Sequence, residues 1–425
     1  MKIEQIHSFF LECNSVCTDT RKIHKDDIFF ALKGDNFNGN IYAEQAIKKG
    51  AKYVIIDDDK YKTSDKKILV NNALKTLQEL AAYHRSFLNI PIIALTGSNG
   101  KTTTKELINV VLSQKYKTTA TLGNLNNHIG VPLTLLSMNS NTEIGIVEMG
   151  ANHLKEIAFL CNIAKPDYGY ITNFGKAHLE GFGSVEGVIT GKSELYDYLI
   201  TNHKTIFVNG NDAIQVNKTN KAKRVIFGNT TFTDINIDFI DAKPFVECKY
   251  NSLNIKSHLI GDYNYNNIAT AICIGNYFKV DDNAIKNAIE NYIPTNNRSQ
   301  IINIGTNQII LDAYNANPTS MHAALLNFEK QTGLKIAILG DMFELGNDAK
   351  QEHETITDLA VSLNIDTVIL VGENFYQSKN DSNKIIKHKT FEDLKRAFDF
   401  TQIENATLLI KGSRGMALER VLDNL

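Results

Sequence analysis

Apolar and polar positions follow two rhythms along this chain. Compact apolar runs at residues 27–32, 53–56, 90–95, 144–147 and 168–172 predict strands. Helical spacing occupies residues 41–49, 73–87, 105–112 and a stretch beginning near 187. Between 198 and 256 the pattern weakens to short β-like runs, 205–208 and 224–227, among polar turns. Another helical pattern begins at 264. Beyond Pro294, strands at 308–311, 335–339, 367–371 and 407–410 alternate with helices at 321–330, 351–363 and 392–400. Such alternation predicts a mostly parallel, doubly wound sheet. No internal repeat or low-complexity tract interrupts the pattern.

Polar clusters sit where these apolar runs end. The sequence TGSNGKTTT at 96–104 follows one strand and opens a helix. Gly97 and Gly100 admit a tight turn, the helix N-terminus offers free N–H groups, and Lys101 adds a point charge for phosphate. Ser98, Asn99 and Thr103 complete this cradle, and the Thr102 hydroxyl can reach Mg²⁺. Leu95 occupies the first glycine position of the usual phosphate-loop pattern. Glu148, at the tip of the next strand, is a candidate Mg²⁺ carboxylate or a solvated strand-end residue. His178 follows a further strand at the same sheet edge, where α/β proteins bind ligands. GNLNNHIGVP at 123–132, with Asn124, Asn126 and Asn127, reads as a loop lined by donors and acceptors. Asn264 and Asn267 share a helix face suited to an adenine edge, with helix capping as the alternative. In the last third, DAYNANP, GDMFELG and KGSRG end three strands and describe a ligand face, although Asn317 before Pro318 also has the form of a helix cap. Near the start, Asp19, Thr20 and Arg21 form one polar cluster; Gly34, Phe37 and Asn38 belong to a second.

Composition narrows the class. A chain of 425 residues exceeds what one core usually holds, so several domains are expected. A net charge of −2 supplies no general attraction to nucleic acid or anionic lipid. The five cysteines, Cys13, Cys17, Cys161, Cys248 and Cys273, show neither a disulfide framework nor paired zinc-ligand spacing. No apolar run approaches a membrane span, and the N-terminus has no signal-peptide core, so a cytoplasmic protein without membrane insertion is expected.

Taken with EMGA, TNFGKAHLEGFGS and KGSRGMALE, these motifs resemble the Mur ligase family of ATP-dependent amide-forming enzymes along nearly the whole chain. The resemblance implies three domains: a small α/β domain at 1–88 for a UDP substrate, a central P-loop parallel-sheet ATPase domain at 89–297, and a C-terminal Rossmann-like doubly wound domain at 298–425 for the amine substrate and ATP ribose. YNANP and GDMFELG favour the member that joins D-alanyl-D-alanine to UDP-N-acetylmuramoyl-tripeptide through an acyl phosphate, in peptidoglycan precursor synthesis. It implies UDP-side contacts at Asp19, Thr20, Arg21, Gly34, Phe37 and Asn38, and substrate contacts at Asn124, Asn126, Asn127, Asn315 and Asn317. ATP is expected at Gly97–Thr103, Asn264, Asn267, Arg298 and Asp312. Mg²⁺ is expected at Thr102, Glu148, His178 and Lys192, the lysine as a carbamate, with Lys101, Glu148, His178 and Lys192 serving catalysis. Two departures stand out: Lys192-Ser193-Glu194 replaces the family's K-G-E, and Asn297 replaces the glycine usually found before the hinge arginine, here Arg298. A monomer is expected. The alternatives are a Mur-type ligase adding the third amino acid, a folylpolyglutamate synthetase-like ligase, and, in a different class, a nucleotide-dependent binding or switch protein.

Overall fold

The computed structural model describes residues 1–425 and organises them around three principal sheets. The first is parallel and follows chain order: Val16–Cys17, Ile28–Phe30, Tyr53–Ile56 and Lys67–Leu69. Helix Ala73–Leu88 then packs against Ile3–Leu11 on one side and Gly130–Leu136 on the other, joining this sheet's unit to the next. Arg85 strengthens the junction by donating to Ala164 O at 3.0 Å and pairing with Asp167 at 2.7 Å.

The central sheet has nine strands, and its middle determines where ligands can bind. Strand Ile92–Thr96 lies between Tyr168–Ile171 and Ile144–Glu148, all parallel. Leu95 is level with Glu148, and Thr96 with Ile171, so the chain leaves three adjacent strands at one edge. Strand order reverses here, the position at which an α/β sheet opens a crevice. Beyond Thr205–Asn209 and Lys223–Gly228, the sheet continues as Ile235–Ala242, Phe245–Tyr250 and Leu253–Ile260. The short runs expected at 205–208 and 224–227 are the parallel strands Thr205–Asn209 and Lys223–Gly228, whereas the antiparallel pairing of the last three strands stands where only polar turns were expected. Their alternating burial and register shifts dilute the apolar pattern that a buried strand would show.

Six strands form the last sheet, in the order Gln300–Ile304, Asn307–Asp312, Ala406–Lys411, Leu334–Gly340, Thr367–Val371 and Ile385–His388. Only the first pair is antiparallel. Asp312 is level with Lys411, and Lys411 with Leu339, so the three polar strand ends expected from sequence are neighbours in space. No helix is long and apolar enough to cross a membrane.

Candidate active site

The phosphate loop is held by backbone form and by the neighbouring strand end. Gly97 and Gly100 have φ of 139° and 79°, in the left-handed region. A Cβ at Gly97 would lie 2.0 Å from Thr172 Oγ1, and one at Gly100 would lie 2.6 Å from Asn267 Oδ1. Both glycines are therefore required by conformation and by close approach. Thr172 Oγ1 donates to Asn99 O at 2.6 Å, Asn173 Oδ1 accepts from Asn99 N at 3.0 Å, and Ser98 Oγ donates to Gly175 O at 2.8 Å. Sequence reasoning placed Thr172 and Asn173 in a strand and its loop without seeing this role; their strand's position beside Ile92–Thr96 is the signal.

Lys101 turns back on its own loop, donating to Gly97 O at 2.8 Å and Ser98 O at 3.2 Å. Desolvation lowers its pKa, opposed by the charge of Glu148. Thr102 Oγ1 donates to Glu148 Oε2 at 3.0 Å, while Asn126 Nδ2 donates to Oε1 at 2.8 Å. Glu148 is buried and makes no ion pair. A carboxylate and a hydroxyl side by side, without a directly paired cation, suit a hard oxygen-seeking metal. Two oxygen donors suffice for Mg²⁺, an ion that retains water and binds substrate phosphates; nowhere do three or more His, Cys, Asp or Glu side chains cluster.

His178 approaches from the next strand end, its Nδ1 hydrogen-bonded to Glu344 of the last sheet's GDMFELG loop. This contact holds Glu344 below the usual carboxylate range. A histidine oriented by a carboxylate through one ring nitrogen is arranged to ligate a metal through the other. Glu344 was missed in this role because the sequence cannot show a contact across 166 positions. Lys192 lies beneath the site, fully buried, with Nζ 2.9 Å from Ala151 O and 4.9 Å from the Phe182 ring centroid. Burial, reinforced by Lys101, pushes its pKa well down. The neutral amine thus favoured is the form that adds carbon dioxide to give a carbamate.

The remaining expected residues divide by what occupies them. Asn264 Nδ2 donates to Ile260 O at 2.8 Å, Asn267 Nδ2 donates to Asn264 Oδ1 at 2.8 Å, and Thr104 Oγ1 donates to Asn267 Oδ1 at 2.9 Å. The pair braces the phosphate-loop helix; neither side chain caps its own helix, Asn264–Tyr277, whose N-cap is Tyr263. Asn127 Oδ1 accepts from Ile129 N and Gly130 N at the start of another helix. Asn317 caps Pro318–Glu329, as its place before Pro318 suggested, and also donates from Nδ2 to Asn99 Oδ1 at 2.7 Å. Arg298 lies flat on Tyr314, its Cζ 3.4 Å from the ring centroid. Asn297 before it has a φ of 56°, a conformation that glycine favours and asparagine tolerates, which accounts for the substitution. Asp312 pairs with Lys411 at 2.5 Å.

These groups meet in a cleft of about 1080 Å³, lined by Ser98–Thr103, Asn124, Asn126, Asn127, Glu148, His178, Asn264, Asn267, Arg298, Asp312, Asn315, Asn317, Glu344, Lys411 and Arg414. Its size exceeds the usual space for one small molecule. Gly97 and Lys192 are not among the lining residues, although Ala151, which accepts from Lys192 Nζ, is. Asp19, Thr20, Arg21, Gly34, Phe37 and Asn38 lie outside the cleft, in the first unit. There Arg21 donates to Asp19, whose carboxyl is pulled down to about 2, and exposed Phe37 stacks on Tyr42 at 5.8 Å.

Comparison with known proteins covers the chain in three parts. Family models described as Mur ligase family, catalytic domain; Mur ligase middle domain; and Mur ligase, glutamate ligase domain match residues 12–91, 95–275 and 297–414. UDP-N-acetylmuramoyl-tripeptide–D-alanyl-D-alanine ligase of Bacillus subtilis (strain 168) is 32% identical over 428 residues, covering 97% of this chain and 93% of that protein. A crystal structure of MurF from Acinetobacter baumannii has a TM-score of 0.87 at 28% identity, covering 100% of this chain and 98% of that one. MurF ligase from Thermotoga maritima in complex with ADP gives 0.84 at 27%, covering 97% of each chain.

Proposed function

The chain belongs to the Mur ligase family, and from that premise we infer that it joins D-alanyl-D-alanine to UDP-N-acetylmuramoyl-tripeptide at the expense of ATP, in peptidoglycan precursor synthesis. The observation that carries the reading is a single cleft shared by a phosphate loop, a buried carboxylate at the adjacent strand end, and three polar strand ends of a second sheet.

The first half-reaction passes the γ-phosphoryl group of ATP to a carboxylate of the tripeptide, giving an acyl phosphate and ADP. Two anions must meet. Lys101 leaves its loop carbonyls to neutralise the phosphates, and the first-turn N–H groups of Lys101–Leu112 supply further donors. Thr102 and Glu148, with His178 and carbamylated Lys192, would hold Mg²⁺, which supplies charge neutralisation when bound. Asn264, Asn267 and Arg298 take the nucleotide's adenine side, and Asp312 its ribose. In the second half-reaction the dipeptide amine attacks the activated carbonyl, and the tetrahedral adduct expels phosphate. Gly340–Gly346 and Lys411–Arg414 line the amine side, with Asn315 and Asn317 beside them. Asn124, Asn126 and Asn127 face the muramoyl peptide. Asp19, Thr20, Arg21, Gly34, Phe37 and Asn38 hold the UDP part, for which the exposed Phe37 ring is a stacking surface. The three units take the bounds 1–88, 89–297 and 298–425 and act in a cytoplasmic monomer.

An ATP-dependent ligation assay with each UDP-muramoyl tripeptide and D-alanyl-D-alanine, read by product mass, tests this assignment. Product is expected only when all three substrates are present, and none from a folded Lys101→Ala variant. Phosphate release independent of tripeptide and amine would instead identify a nucleotide switch.

A further inference from the structure

Residues 291–299 carry the chain from the central sheet's unit to the last sheet, and both ends of this linker are fixed. At its start, Tyr292 OH donates to Glu106 Oε2 at 2.5 Å, and Asn296 Nδ2 donates to the same carboxylate at 2.9 and 3.1 Å. Glu106 belongs to Lys101–Leu112, the helix that begins at the phosphate loop. At the far end, Ser299 N donates to Asp312 Oδ1 at 3.2 Å, and Ser299 Oγ shares a hydrogen bond with Tyr263 OH at 2.9 Å. Arg298 lies between these anchors, flanked by the left-handed residues Asn297 and Ser299, with φ of 56° and 49°. The linker has no helix or strand to set its path. Apart from one backbone bond, from Tyr314 N to Asn297 O at 3.2 Å, side-chain contacts determine where Arg298 stands.

The Asn296 amide shows how specific the first anchor is. Its Nδ2 reaches both Glu106 oxygens, while its buried Oδ1 has no partner. Turning the amide over would place Oδ1 against the carboxylate, so Glu106 fixes its orientation.

We propose that Glu106 is a positioning residue that ties the interdomain linker to the phosphate-loop helix and thereby sets the distance between Arg298 and Lys101 across bound nucleotide. The inference rests on the assignment of Arg298 to the nucleotide. One carboxylate, placed on the element that receives the phosphates, makes movement of that helix and movement of the linker the same event. A shift of about 1 Å in such a contact can cost about 100-fold in rate.

The test is a double-mutant cycle on kcat/KM for ATP in the full chain, with thermal stability followed in parallel. Glu106→Ala is expected to lower kcat/KM about 10- to 100-fold, and Glu106→Gln, which keeps an acceptor, to restore much of it. In an Arg298→Ala background, Glu106→Ala should add less than about 2-fold, because linked residues are non-additive. Tyr292→Phe, which removes one hydroxyl, should show the same dependence on Arg298 and carries the cycle if Glu106→Ala does not fold. Additive effects of Glu106 and Arg298, or of Tyr292 and Arg298 where the phenylalanine variant carries the cycle, would overturn the proposal while leaving the nucleotide role of Arg298 standing. Normal ATP kinetics in Arg298→Ala alone would overturn the assignment on which it rests.

Discussion

At Lys192, burial decides the chemistry. For a lysine with no solvent exposure, its nitrogen held by the Ala151 carbonyl beside the Phe182 ring, desolvation and the charge of Lys101 outweigh Glu156 and Glu194 and push its pKa well down. The carbamylation we propose would convert that liability into an anion. Lys192→Ala is expected to lower ligation at least about 100-fold, comparable to removing one preorganised electrostatic group, with a short carboxylate in solution restoring part of it in steady-state assays. A second buried pair affects stability. Met138 O can only accept, so the 2.9 Å contact requires a proton on His84 Nε2; His84 Nδ1 then accepts from His7 Nε2 at 3.0 Å. Burial, aided by His84, pushes His7 down to about 4. The unfolded chain binds this proton near pH 6.5 and the folded chain only near 4, so stability present above about pH 6.5 is lost as pH falls through that interval. His7→Phe should flatten this part of the pH profile of urea midpoints.

Among the elements, the phosphate loop shows how closely a turn can be specified. Gly100→Ala would place a methyl group on Asn267 at a left-handed position. ATP binding measured by calorimetry should become undetectable or fall at least about 10-fold, since the shift needed exceeds the tolerance of an aligned site. Gly123→Ala is the matched control: its φ is 54°, but nothing lies within 4 Å of the new Cβ, so a cost of only about 1 kcal/mol is expected. The loop was legible in sequence because glycine, lysine and threonine are placed locally between a strand and a helix. The same locality made the buried parallel strands legible. Ile235–Ala242 and Leu253–Ile260 were not, because half of each faces solvent and bulges disturb the alternation. The short edge strands Gln300–Ile304 and Ile385–His388 went unread because their positions are mostly only partly buried, whereas the helix Asp282–Glu290 was legible in principle, its buried Ile285, Ala288 and Ile289 falling at helical spacing. At the site, ligand types could be read from strand ends. Glu344, Thr172 and Glu106 could not, since each acts on a segment distant along the chain.

Across the whole molecule, the segment after Tyr168–Ile171 is where the central and last units meet. Lys176 Nζ donates to Glu352 Oε1 at 2.6 Å, its backbone N–H donates to Thr319 Oγ1 at 2.9 Å, and His178 meets Glu344. The Lys176 ion pair is half exposed and contributes about 0–1 kcal/mol. Lys176→Ala should therefore leave the melting temperature almost unchanged while increasing the ligand-free radius of gyration seen by X-ray scattering, an increase that ATP and tripeptide together reverse. One contact at this junction has a pharmacological consequence. The Asn317 amide reaches Asn99 on the phosphate loop itself, so the central and last units touch there through a pair of carboxamides. A small molecule presenting its own amide to both would act as a spacer that holds the units apart, and because Asn99 belongs to the phosphate cradle and ATP favours the closed arrangement, its potency would fall as the cell's ATP concentration rises.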